Sequence, residues 1–280
     1  MISKTVRALA CSWALLGLHG GALSQVAKPV AEGLMRKSGL WEQLGAIAPQ
    51  MEAAAGTAMS QSEAKMSPDE LKRLNQAFVT AYSPMHLRAT ALGVMASQLT
   101  PAHVAALEAW YSSPDGQAIT QLEEASSIDA GDFQSRVQAG AKVLASATAD
   151  RQALLNRVAK VTRAAQASTD IIINTAVGIQ EGLAKVLPIG SRPAAKEFRA
   201  ALEQQRPQMV KSFETATVAL FAATYEGIDD EALGRYVRFL KSPAGLAYTE
   251  VSLRAMDRAF VEAAHDLGRS IPAVKSNANL

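Results

Sequence analysis

Two copies of one short pattern limit what this chain can fold into. Ala109-Trp110-Tyr111-Ser112-Ser113-Pro114-Asp115-Gly116 returns 129 positions later as Arg238-Phe239-Leu240-Lys241-Ser242-Pro243-Ala244-Gly245. In each copy Ser-Pro-x-Gly joins two amphipathic segments. Ser113 and Ser242 are suited to cap a helix, because a short hydroxyl side chain accepts from the free amides of the first turn. Pro114 and Pro243 fit the first helical position, where φ is already suitable and the missing N–H removes no bond. Proline also steers the residue before it away from helical angles, so the preceding helix must end there. The pattern therefore predicts helix, sharp corner, helix. Gly116 and Gly245 each carry a helix penalty of roughly 1 kcal/mol relative to alanine, which points to a close backbone approach at both corners.

The match extends outward at the same offset. Leu99, Val104, Leu107 and Trp110 align with Ile228, Leu233, Tyr236 and Phe239, and Ala118 and Thr120 align with Ala247 and Thr249. Apolar residues thus recur at helical spacing in both copies. A duplicated helical unit explains this, and its period is longer than those of short solenoid repeats. The expected layout is a first repeat over 25–129, a connecting helix or helices over 130–165, a second repeat over 166–270 and a flexible tail over 271–280. The fold class is all-α: an antiparallel helical bundle of two similar helix-corner-helix repeats.

An aromatic pair followed by x-Ser-Pro-x-Gly between two helices resembles the bacterial exported family called domain of unknown function family twenty fifty-nine. Trp110, Tyr111, Ser113, Pro114 and Gly116 carry the likeness in the first copy, and Phe239, Ser242, Pro243 and Gly245 in the second. Leu240 stands where the family usually has tyrosine. The resemblance implies an all-helical fold and an envelope location, and it brings no activity with it.

Residues 1–24 read as a secretory signal. Lys4 and Arg7 form a basic start, Ala8 to Leu18 an apolar stretch too short to span a bilayer, and Ala22-Leu23-Ser24 a small-residue cleavage site before Gln25. Cleavage would remove Lys4 and Arg7 from the 28 Lys and Arg, leaving them balanced against 26 Asp and Glu. Such a mature chain lacks the basic stripe that nucleic-acid binding needs. It also loses its one cysteine, Cys11, and so suits an oxidising compartment without any disulfide. The expected location is periplasmic or secreted, with no transmembrane span in the mature chain. At 280 residues and 49% hydrophobic content the chain can bury a sizeable core. Aromatics are only 5%, which favours closely spaced helices.

Helix starts recur along the chain. Pro29 suits a first helical position, Val30 and Leu34 share a face, and Gly39 is a C-cap candidate. Leu40, Leu44, Ile47 and Met51 continue at helical spacing, and Pro49 should kink or restart that segment. Ser67-Pro68-Asp69-Glu70 is a capping box. Ser83-Pro84 and Thr100-Pro101 open two more helices. Phe133, Val137, Leu144, Leu155 and Val158 predict one long helix or two broken near Asp150. Ile172, Ala176, Ile179 and Leu183 mark one side of the next, where Gly178 and Gly182 indicate close helix packing. Pro188 to Ser191 ends it. Two helices are expected over about 193–205 and 207–225, then Asp229 as an N-cap before the second corner.

No catalytic residue and no cofactor emerge from the motifs. Glu262-Ala-Ala-His265 has the form used in carboxylate-bridged di-iron bundles, but such sites need the pair twice plus two more carboxylates, so it reads as an exposed pair on the last helix. Ser62-Glu-Ala-Lys65 has the Ser-x-x-Lys form of penicillin-interacting enzymes without their Lys-Thr-Gly element. Trp110 and Tyr111 are adjacent and point about 100° apart. At most one faces the core squarely while the other sits at the corner's rim: the expectation is burial of Trp110 against the next helix, the other reading being an aromatic rim at each corner that helps form a binding surface. The leading functional reading is a non-enzymatic interaction or binding module with an unknown envelope partner. Two others stay open: a carrier holding an apolar ligand in a cavity lined by residues such as Met95, Ile172, Leu220 and Phe221, and an unrecognised hydrolase.

Overall fold

The computed structural model describes residues 25–46, 67–128, 133–186 and 195–276, with side chains to residue 271. The signal at 1–24, Ile47, Pro49, Met51, Ser62 to Lys65, Pro188 to Ser191, Pro193 and residues 277–280 lie outside them. Among the described residues all regular structure is helical, so the all-α expectation holds.

The helices are α1 (Lys28–Lys37), α2 (Pro68–Ala81), α3 (Pro84–Gln98), α4 (Pro101–Tyr111), α5 (Pro114–Ile128), α6 (Phe133–Ser146), α7 (Ala149–Thr162), α8 (Ala164–Val186), α9 (Ala195–Thr224), α10 (Asp230–Leu240) and α11 (Pro243–Ser276). A short helical segment at 40–46 follows α1. Local chemistry sets most starts. Ser67 and Glu70 form the reciprocal capping box, at 3.3 and 2.7 Å. Thr100 caps α4 by accepting from the His103 amide at 3.3 Å, and Asp229 caps α10 by accepting from the Ala232 amide at 2.7 Å. Gly39 ends the first helix with φ at 76°, a left-handed conformation that glycine adopts without strain.

Several expectations shift. Pro29 sits one place inside α1, which starts at Lys28. Val30 is 42% exposed, whereas Ala31, Leu34 and Met35 form the buried face. The break expected near Asp150 falls at Ala147 and Thr148, where the Thr148 hydroxyl caps α7. Ile172 is 43% exposed. The stripe that α8 buries runs through Thr169, Ile173 and Val177 instead, because α8 is clasped between α9 and α11. Helix α9 runs unbroken through Pro207. An interior proline costs about 3 kcal/mol. Here α9 packs against α6 and α8, and Arg206 ties the turn to Glu203 on α9 and Asp170 on α8. Helix α11 likewise continues through Pro272 to Ser276, where a fraying tail was expected.

The interior has two apolar clusters, and each draws on both halves of the sequence. Leu34, Met35, Leu87, Met95 and Leu107 of the first half surround Tyr248, Val251, Ala255, Ala259 and Ala263 of α11. Leu155, Val158, Ala222, Leu233, Val237 and Leu240 surround Ile119 of α5. The helix that follows each corner therefore enters the core of the other half. Helices α8 and α11 approach closely. A Cβ on Gly182 would lie 2.9 Å from the His265 Cα, and one on Gly268 2.8 Å from the Leu183 amide nitrogen. Glycines at these sites permit a contact that longer side chains would hold apart.

Candidate functional site

The two Ser-Pro-x-Gly corners form the α4–α5 and α10–α11 connections, with matching bonds. The Ser113 hydroxyl accepts from the Gly116 amide at 3.1 Å, and the Ser242 hydroxyl from the Gly245 amide at 3.1 Å. The Ser113 amide donates to the Trp110 carbonyl and the Ser242 amide to the Phe239 carbonyl, both at 2.9 Å. Pro114 and Pro243 are the first residues of their helices. A Cβ on Gly116 would sit 2.9 Å from the Trp110 carbonyl carbon, and one on Gly245 2.9 Å from the Phe239 carbonyl carbon, with the oxygens closer still. Only glycine leaves room for the next helix to fold back this tightly.

The corners meet ring on ring. Trp110 and Phe239, which hold the same place in the two copies, stack with centroids 4.5 Å apart and planes 7° apart. Tyr236 continues the stack, 5.9 Å from Trp110 at 10° and 6.4 Å from Phe239 at 15°. Tyr111 meets Phe239 edge-on at 5.8 Å and Tyr248 at 5.6 Å. The expectation of one aromatic in the core and one at a rim is therefore corrected. Both are packed, Trp110 against the second cluster and Tyr111 against the first, because adjacent helical residues diverge enough to reach two cores.

Sequence reasoning missed the polar half of this joint. The carboxylate of Glu123 on α5 accepts from the Tyr225 hydroxyl at 2.6 Å and the Tyr236 hydroxyl at 2.8 Å. Burial pushes this carboxyl above its ordinary range; the two hydroxyls partly offset that, and neighbouring Glu124 adds to it. Burial also pushes the phenols of Tyr111, Tyr225 and Tyr236 well above their usual value and that of Tyr248 up to about 12. All four phenols thus remain protonated, and two of them, Tyr225 and Tyr236, donate to the one acceptor. Tyr248 hydrogen-bonds Ser38 beside α1. At the edge of the joint Arg235 donates to Asp115, one contact being 2.9 Å, and this hydrogen bond holds the Asp115 carboxyl below its usual range. A signal was present: four of the chain's five tyrosines belong to this one site. Which carboxylate they would surround was not readable without the fold.

The other candidates disperse. His265 Nε2 pairs with Glu181 at 3.0 Å, whereas Glu262 accepts from Thr90 at 2.8 Å and from Arg258 at 2.5 Å. The Glu-x-x-His pair is thus half-buried, with each member turned to its own partner rather than lying exposed together. Among the described residues no group of three or more His, Cys, Asp or Glu is placed to hold a metal. Met95 is fully buried in the first cluster, Ile172 is exposed and Phe221 packs on Tyr225. Leu220 lines a shallow cleft with Leu122, Arg136 and Ala139. No cleft described here collects more than one of these four.

A cleft of about 900 Å³ lies where α7, α8 and α9 meet, bounded also by Leu144 of α6. It was not foreseen from the sequence. Lys160 and Arg163 reach it from the end of α7, Gln166 from α8, and Glu214, Thr217 and Val218 from α9. Arg163 has φ of 53°, a left-handed conformation uncommon for a residue other than glycine. A smaller cleft of about 220 Å³ lies on the other side of Arg163. Its carboxylates all have partners: Asp170 in Arg206, Asp257 in Asn174 and Glu250 in Arg254. Compared with known proteins, this chain matches no family model, no curated protein and no solved structure.

Proposed function

We propose that this chain is an exported helical binding module of the domain of unknown function type it resembles, acting by recognition and not by turnover. On this reading the two corners descend from one duplicated unit. The supporting observation is how the motif residues are used: Ser113, Pro114, Gly116 and their counterparts Ser242, Pro243 and Gly245 shape the backbone, and Trp110, Tyr111 and Phe239 fill the joint between the corners. A motif spent on shape specifies a rigid frame, and recognition falls to the helix faces and clefts around it. Leu246, 51% exposed beside the second corner, is an apolar group that this frame holds out to a partner. No described helix is long and apolar enough to cross a membrane, in keeping with a mature form that has no span.

Native mass spectrometry of the protein isolated from its own envelope fraction tests the proposal. The expected result is a mass beginning at Gln25 with a partner retained. Turnover of a hydrolase substrate that vanishes on changing one polar residue, with the fold intact by circular dichroism, would overturn it.

A further inference from the structure

We infer that the α7–α8–α9 cleft is a binding site for a singly charged organic anion with an apolar body, such as a long-chain carboxylate. The inference goes beyond the interaction-module reading, since it requires neither a protein partner nor a particular compartment. Three independent features converge there. The first is charge. Lys160 and Arg163 line the cleft, and neither makes an ion pair or hydrogen bond with another described side chain. Several arginines elsewhere are committed, as Arg151 is to Asp230, Arg206 to Asp170 and Arg235 to Asp115. Glu214 is the one carboxylate lining the cleft, so two cations face one anion and a single negative charge completes the balance.

The second feature is an uncapped helix start. Helix α8 begins at Ala164, directly after Arg163, and an arginine side chain has no acceptor to offer the first-turn amides. A helix with its amides free in this way is a ready site for an anion. The third feature is a hydroxyl that faces the cleft without a protein partner. Thr217 is 8% exposed and lines the cleft, yet it hydrogen-bonds no protein group. Its oxygen stays open to the cleft rather than sealed in the core, and an oxyanion bound there would accept from it. Leu144 and Val218 supply an apolar wall. At about 900 Å³ the space suits a small amphiphile with a fixed head and a loosely held chain.

The test is calorimetric titration of the full mature chain with dodecanoate, dodecyl phosphate, inorganic phosphate and dodecyltrimethylammonium. Dodecanoate is expected to bind once per chain and more tightly than any of the other three. Arg163→Gly removes the cation at a left-handed position that glycine tolerates better, so it should weaken dodecanoate by roughly tenfold while its thermal midpoint stays level or rises. Lys160→Met should weaken binding in the same direction. Equal binding of inorganic phosphate or of the ammonium amphiphile would overturn the inference, as would dodecyl phosphate binding the more tightly. Undiminished affinity in both variants, or no binding of dodecanoate at all, would also overturn it.

Discussion

The two corners have the same backbone and different side-chain surroundings. Ser113 and Ser242 make the same capping bond, and Gly116 and Gly245 meet the same carbonyl position. Yet each polar or edge-on contact that ties one corner to the other uses a group that its counterpart lacks. Glu123 of the first copy binds Tyr236 of the second, while at the matching places stand Ser252 and Leu107. Asp115 binds Arg235, where the counterparts are Ala244 and Ala106. Tyr111 meets Tyr248 edge-on, where the counterparts are Leu240 and Ile119. What the copies share sets the angle of each corner. The Trp110–Phe239 stack, at a shared position, joins the corners to each other, what they do not share adds the polar and edge-on contacts around it, and the exchange of α5 and α11 between the two clusters makes that joint the centre of the molecule.

The strongest way to break this comparison is to remove the shared ring stack. Trp110→Ala should destabilise by about 3 kcal/mol, read as a loss of unfolding free energy in denaturant. Phe239→Ala, placed between Trp110 and Tyr111, should cost a similar amount. Next come the glycines. Gly116→Val and Gly245→Val should each cost on the order of 1 to 3 kcal/mol by overpacking, and the two should agree, because the added carbon meets backbone at both sites. Thermal melts that separate them widely would show that the corners are not mechanical equivalents.

The smallest effect sharpens the difference between the copies and carries a pH signature. Because burial raises the Glu123 pKa in the folded state, its contribution to stability is fully present below the ordinary carboxylate value. That contribution declines as pH rises through the raised folded value. Glu123→Gln keeps an acceptor for both phenols and removes the charge, so it should be neutral or slightly stabilising at neutral pH and should flatten that decline. Glu123→Ala leaves the two hydroxyls of Tyr225 and Tyr236 without their acceptor and should cost about 1 to 3 kcal/mol. Stability against pH for the two variants and the parent chain checks both statements.

The parts of this fold legible in the sequence are those decided within one turn of chain. Ser67, Thr100, Ser113, Asp229 and Ser242 all cap helices as their neighbours dictate. Gly178 and Gly182 do sit at a close helix crossing. Elements that depend on partners far along the chain were misread. Pro207 lies within a continuous helix because α6, α8 and the Arg206 clamp hold it there. The buried stripe of α8 runs one position away from the apolar one because two helices grip it rather than one. Trp110 and Tyr111 could be singled out, but not their shared use by two cores. Glu123 and the α7–α8–α9 cleft left no local mark, since a lone glutamate or a lysine near an arginine looks like any solvated helix face.

The central claim, that the two corners form a single joint, is tested most directly by a double-mutant cycle. Trp110→Ala and Phe239→Ala would be made singly and together, and unfolding free energies measured in denaturant on residues 25–280. A single joint predicts one cooperative transition in all four proteins and a coupling energy of about 0.5 to 1.5 kcal/mol between the two rings. Additive losses, or two separate transitions assigned to the two halves, would contradict it.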